Sequence, residues 1–175
     1  SHKNGETGSM DLELQGKVVL VTGGSKGIGQ ACAQAFAREG AKVAIVSRDL
    51  ANLEAARSEL AADGAQILTI AADLRDPEAA AHAVAQTEAA LGPVDILINS
   101  AGAAKRHPPE SLDAQAWRDA MDAKFFTYIH AMQAVLPGMA ERASGAIVNI
   151  IGIGGRVASP VHLPGGSANA ALMLA

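Results

Sequence analysis

The stretch that most limits how this chain can fold is Thr22-Gly23-Gly24-Ser25-Lys26-Gly27-Ile28-Gly29. It lies directly between a strand pattern and a helix pattern. Lys17–Val21 is a short β-branched, apolar run of the kind that forms a buried strand. Gly27–Arg38 carries Ile28, Cys32, Ala35 and Phe36 at helical spacing and stops before Gly40. A strand that enters a helix through so tight a turn needs unusual backbone angles and close backbone contact, and glycine supplies both. The start of such a helix presents free N–H groups and the positive end of the helix dipole, which together favour an anion.

The rest of the chain repeats this alternation. Strands are expected at Lys42–Val46, Gln66–Ala71, Asp95–Ile98 and Ala146–Ile151, and helices at Leu50–Ala62, Glu78–Leu91 (opened by Pro77), Leu112–Leu136 and Ser167–Ala175. The long helix is expected to end near Pro137-Gly138, and Asp63-Gly64 to close the second helix. Strands apolar along their whole length, separated by helices, imply a parallel sheet covered on both faces. Right-handed crossovers make this a three-layer doubly wound α/β Rossmann fold with strand order 3-2-1-4-5.

The chain has 175 residues, enough for one domain, and its 49% hydrophobic and 18% charged composition can build a core. A net charge of −4 argues against a nucleic-acid surface, and no apolar run is long enough to span a membrane. The single cysteine, Cys32, excludes an internal disulfide and fits a reducing, cytoplasmic setting; on its helix it reads as a small core residue. Residues 1–9 read as an expression-tag remnant, and 10–175 as the domain. Leu172-Met173-Leu174-Ala175 stops within an apolar helical run, so the C-terminal part is expected to be missing.

Three motifs follow strand ends in order: the Gly-x-x-x-Gly-x-Gly turn, Asp73-Leu74, and Asn99-Ser100-Ala101-Gly102. In this combination residues 14–175 resemble the short-chain dehydrogenase/reductase family. The resemblance implies a dinucleotide cofactor whose pyrophosphate lies on the turn, held by Gly23, Ser25, Lys26, Gly27, Ile28 and Gly29. It also implies that Asp73 and Leu74 border the adenine, and that Asn99, Ala101 and Gly102 brace the central strand and line the cofactor. Asp73 reads equally as a helix cap or turn residue. At the end of strand two stand Ser47-Arg48, and Lys26 lies inside the turn. Two cations and a hydroxyl favour a 2′-phosphate, so NADP(H) is expected over NAD(H). Asp49 is expected to cap the helix that follows.

The proton relay that the resemblance implies is missing. Aligned by the surrounding motifs, the Asn, Ser, Tyr and Lys positions hold Lys124, Gly152, Gly165 and Asn169. No shift of register restores it, because the one tyrosine is Tyr128 and no lysine follows Lys124. Lys124 shares a helical face with Trp117, Met121 and Tyr128, a face expected to meet the sheet. It reads either as a substitute acid with a lowered pKa or as a lysine that snorkels to the surface. Ser159, His162 and Ser167 lie in or just after the loop following strand five. His162 is a candidate proton donor, with plain solvation as the alternative. Lys105-Arg106-His107 reads as an exposed loop, either facing an anionic ligand or simply solvated. The resulting expectations are an oxidoreductase acting on a carbonyl or alcohol with atypical acid/base chemistry, or a non-catalytic NADP(H)-binding sensor or scaffold. A non-functional fragment is the third. The helices at Leu112–Leu136 and after Ser167 resemble a pair packed across a two-fold axis, which implies a homodimer or homotetramer.

Overall fold

The computed structural model describes residues 10–62 and 64–175. The tag reading of residues 1–9, and Asp63, lie outside the described residues. The five strands are β1 Val18–Thr22, β2 Lys42–Ser47, β3 Ile67–Ala71, β4 Ile96–Asn99 and β5 Ala146–Asn149. They form one parallel sheet in the order β3-β2-β1-β4-β5. The helices are α1 Gly27–Arg38, α2 Leu50–Ala62, α3 Pro77–Leu91, α4 Ala114–Ala120, α5 Thr127–Glu141 and α6 Leu163–Leu172. The three-layer Rossmann architecture and its strand order are those that the sequence implies.

The core is double, one half on each face of the sheet. Val18 and Leu20 of β1 join Ala44 and Val46 of β2 against Ala80, Ala83 and Val84 of α3 and Ala131, Val135 and Met139 of α5. Val19, Val21, Val43 and Ile45 point the other way, onto Ala33 of α1 and Leu53, Ala56 and Leu60 of α2. All five residues of β1 are buried, as a central strand covered on both sides requires. Cys32 is a half-buried free thiol packed against this second half.

The last two expected helices, Leu112–Leu136 and Ser167–Ala175, differ from expectation. The span Leu112–Leu136 is not one helix: α4 and α5 are separated by a π-helical segment, Met121–Phe126. A π segment closes i→i+5 bonds and holds more residues per turn, so a 3.6-residue stripe falls out of phase across it. Tyr128 is accordingly fully buried while Trp117, expected on the same face, is 39% exposed. Pro137 does not stop α5, which runs on to Glu141. Second, α6 begins at Leu163, four residues before the expected Ser167. Pro164 suits the first turn of a helix, and Gly165 and Gly166 lie within that helix, Gly165 packed under the His162 and Ala104 side chains and Gly166 against the Gly154 backbone.

Pro137 lacks the N–H that an α-helix would use there, and it is solvent-exposed inside α5. Pro137→Ala is expected to raise the unfolding free energy by about 1–3 kcal/mol in urea titrations. A loss of stability would mean that the proline shapes α5 rather than interrupting it.

Candidate functional site

The glycine turn is shaped by contact. A Cβ on Gly29 would lie 2.3 Å from the carbonyl oxygen of Gly23, and Gly23 itself sits at φ +64. Only glycine lets the first turn of α1 come down on the end of β1 in this way. The N-cap residue Lys26 is extended and its side chain makes no capping bond. The first N–H groups of α1 therefore keep their capacity to bind an anion.

Beside this turn lies a cleft of about 320 Å³ at the C-terminal ends of the central strands. Gly23, Ser25 and Lys26 form one wall, Ser47 and Arg48 the end of β2, and Asp73 and Leu74 the end of β3. Ala101 and Gly102 come from the end of β4. Thus nine of the residues that the sequence singles out converge on one concavity, although Gly27, Ile28, Gly29 and Asn99 lie outside its wall. Ile28 is 62% exposed, and Gly27 and Gly29 shape the turn. Asn99 is buried behind the cleft: its Oδ1 accepts from Thr22 Oγ1 at 3.2 Å and its Nδ2 donates to Asn149 Oδ1 at 2.9 Å.

The sequence did not point to Arg75 or Thr127, and both line the cleft. Arg75 grips Asp73, with Nε donating to Oδ1 at 2.9 Å and Nη2 to Oδ2 at 2.5 Å. This bond to Arg75 holds the Asp73 carboxyl below the usual carboxylate range, against a smaller opposing effect of burial. Asp73 is a turn residue, accepting from the Arg75 N–H at 3.1 Å; the cap of α3 is Asp76, which accepts from Glu78. Asp49 caps α2 as expected, accepting from the Asn52 N–H at 2.9 Å. Thr127, just after the π segment, donates to the Lys124 carbonyl at 3.0 Å. The cleft thus carries three cations, Lys26, Arg48 and Arg75, and one carboxylate bound to one of them. Among the described residues no group of His, Cys, Asp and Glu could hold a metal, and no helix is long and apolar enough to cross a membrane.

The four positions of the absent relay lie apart from that wall. Lys124 does not snorkel outward: its Nζ donates to Tyr128 Oη at 3.1 Å, and Tyr128 Oη donates to the Ile150 carbonyl at 2.6 Å. Burial lowers the Lys124 pKa and pushes that of Tyr128 up to about 12. Gly152 packs against Asn169, whose Nδ2 would lie 2.9 Å from a Cβ on Gly152. His162 is the N-cap residue of α6. Lys105 and Arg106 are exposed, whereas the His107 N–H is tied to the Val161 carbonyl at 3.0 Å.

Residues 17–174 match the family model for short chain dehydrogenases. The chain belongs to the short-chain dehydrogenase family. It is 40% identical to a short chain dehydrogenase of Pseudocercospora fijiensis over 91% of its own length and 52% of that protein's. It is 36% identical to gluconate 5-dehydrogenase of Gluconobacter oxydans, over 87% of this chain and 60% of that one. Among solved structures, a putative short-chain alcohol dehydrogenase from Sinorhizobium meliloti superposes with a TM-score of 0.85 at 33% identity, covering 91% of this chain and 63% of that one. A variant of the actinorhodin polyketide ketoreductase with NADPH gives the same TM-score at 29% identity, covering 89% and 60%. The chain therefore spans roughly half to two thirds of the length of these relatives.

The burial of Lys124 has a consequence for stability. Its folded pKa is lowered, so the unfolded chain binds the proton more tightly, and unfolding takes up protons between the two values. Stability from this residue is lowest below the folded pKa and rises with pH through that window. Lys124→Met, which leaves the Tyr128–Ile150 bond in place, is expected to hold or raise stability at neutral pH and to flatten its rise in alkaline buffer. Thermal melts across that range check this; an undiminished rise would show that the amine is solvated.

Proposed function

We propose that this cleft binds NADP(H) and that the whole protein is an oxidoreductase acting on a carbonyl or alcohol, without the tyrosine–lysine relay. The observation that carries the reading is the convergence of Lys26, Arg48 and the uncapped start of α1 on one cleft next to a turn that only glycine can make. The donor set fits the group. Backbone N–H groups at a helix start suit a pyrophosphate. Ser47, Arg48 and Lys26 suit a 2′-phosphate, and no carboxylate follows β2 on the cleft wall to repel it, since Asp49 faces its own helix. Arg75 holds the Asp73 carboxylate at the end of β3, bringing a third cation to the same side. The reduced cofactor supplies a hydride when bound. The residues of the chain bind and orient it: the turn takes the phosphates, and Ala101, Gly102 and Thr127 line the wall beyond it.

A second reading is a binding protein that senses or scaffolds. It is favoured by Gly152, Gly165 and Asn169, none of which exchanges a proton where the family's relay stands. Fluorescence titration with NADPH and NADH, then turnover on a panel of ketones and alcohols by the full-length protein, separates the two. Tight binding with turnover supports the enzyme, and tight binding alone supports the sensor. The relatives' names make carbohydrate-like polyols and keto acids sensible members of that panel.

Arg48→Ala is expected to weaken NADPH binding by about 10- to 100-fold, since a charge-assisted contact to phosphate contributes about 1.5–3 kcal/mol, and to leave NADH nearly unchanged. Equal losses for the two would defeat the assignment of the 2′-phosphate to Arg48.

A further inference from the structure

A cleft that takes a phosphate gains nothing from an acid on its wall, yet Asp73 stands there beside Arg48. The two residues leave the sheet side by side. Where β3 pairs with β2, the Ala72 N–H donates to the Ser47 carbonyl at 3.0 Å, and Asp73 and Arg48 are the next residues of the two strands. Adjacent strands run about 4.8 Å apart, so a group held by Arg48 lies within range of the Asp73 charge. We infer that Arg75 helps to set the cofactor preference by cancelling that charge. It is a positioning residue that acts through Asp73 and makes the end of β3 neutral toward a 2′-phosphate on Arg48. The inference deepens the NADP(H) reading above and rests on it.

The geometry is a closed fork. Nε of Arg75 donates to both carboxylate oxygens of Asp73, at 2.9 and 3.0 Å, and Nη2 donates to Oδ2 at 2.5 Å. The Arg75 N–H donates to Oδ1 at 3.1 Å, so the backbone of the same turn holds the fork in place. Both oxygens are thereby engaged by one residue, and the pair carries no net charge. Asp73 is the main attraction on Arg75; Asp119 and Asp122 act on it more weakly, from outside the cleft wall. The bond to Arg75 holds the Asp73 carboxyl below the usual carboxylate range, and the Arg48 charge adds in the same direction. Asp73 therefore stays ionised near neutral pH, and only a cation can cancel it.

The division of labour between the two arginines follows. Arg75 answers Asp73 from within its own turn, and Arg48 makes no ion pair among the described residues. Arg48 is thus left for an anion from outside. Stability does not account for the fork. The two side chains are 49% and 39% exposed, and exposed pairs add little to folding. The electrostatic effect is larger. One uncompensated charge about 8 Å from a phosphate shifts its binding on the order of 10-fold at a protein surface.

The test reads the ratio of the NADH to the NADPH dissociation constant, because adenine and pyrophosphate contacts are common to both cofactors and cancel. Fluorescence titrations of the full-length wild type, Arg75→Gln, Asp73→Asn and the double variant supply it. Arg75→Gln is expected to lower the ratio about 10-fold, and Asp73→Asn to raise it. The double variant puts a neutral pair in place of an ion pair and is expected to return the ratio to within about 3-fold of the wild type. The loss in Arg75→Gln should shrink as salt rises from about 0.02 to 0.5 M, which a purely structural role would not do. A double variant as low as Arg75→Gln alone would mean that Arg75 bonds the phosphate itself, and overturns the inference. A ratio that no variant moves, or an equal loss of both cofactors in Arg75→Gln, overturns it too and leaves the NADP(H) reading standing. A wild type that does not bind NADPH overturns that reading, and the inference with it.

Discussion

Thr22 Oγ1 is shared by three neighbours, and the site depends on that sharing. It donates to Asn99 Oδ1 and accepts from the backbone N–H groups of Ser100 and Ala101 at 3.2 and 3.3 Å. Asn99 passes the chain of bonds on to Asn149. Three adjacent strands, β1, β4 and β5, are thereby locked at one level at their C-terminal ends. Thr22 and Asn99 are fully buried, so unpaired partners there would be costly, and the knot is an all-or-none constraint. Every loop that borders the cleft leaves the sheet from this level. The turn into α1 keeps its shape because its first residue follows Thr22 directly.

The fold was largely legible in the sequence because its signals are local and repeated. Apolar runs such as Val18–Thr22 and Lys42–Ser47 each begin two residues after a glycine, and parallel pairing follows from the helices between them. The boundaries that sequence reasoning missed depend on tertiary contact. Pro137 is tolerated inside α5, whose buried Val135 and Met139 flank it and anchor the helix to the sheet through packing that no propensity records. The π segment at Met121–Phe126 carries no composition cue, yet it decides that Tyr128 and not Trp117 turns inward. Gly165 and Gly166 read as loop residues and are helical, held by close neighbours on α6 and the Gly154 turn.

The candidate site was legible to the extent that charge and glycine placement define it. Lys26, Ser47, Arg48, Asp73 and Ala101-Gly102 meet on one cleft because each follows the end of a strand. Arg75 was not legible, since its role depends on folding back two residues onto Asp73. Thr127 was hidden by the π segment. The missing relay needed no structure at all: one tyrosine at position 128 and no lysine beyond 124 exclude it by count. The packing of the His162 ring over Gly165 was not legible either, because it depends on a side chain that Gly165 does not have.

That interlock couples two positions in the packing of the chain. A larger residue at 165 collides with the His162 ring, and removing the ring alone opens a hollow beside Ala104. The cost of a side chain at 165 therefore depends on what stands at 162, and neither site can be judged alone.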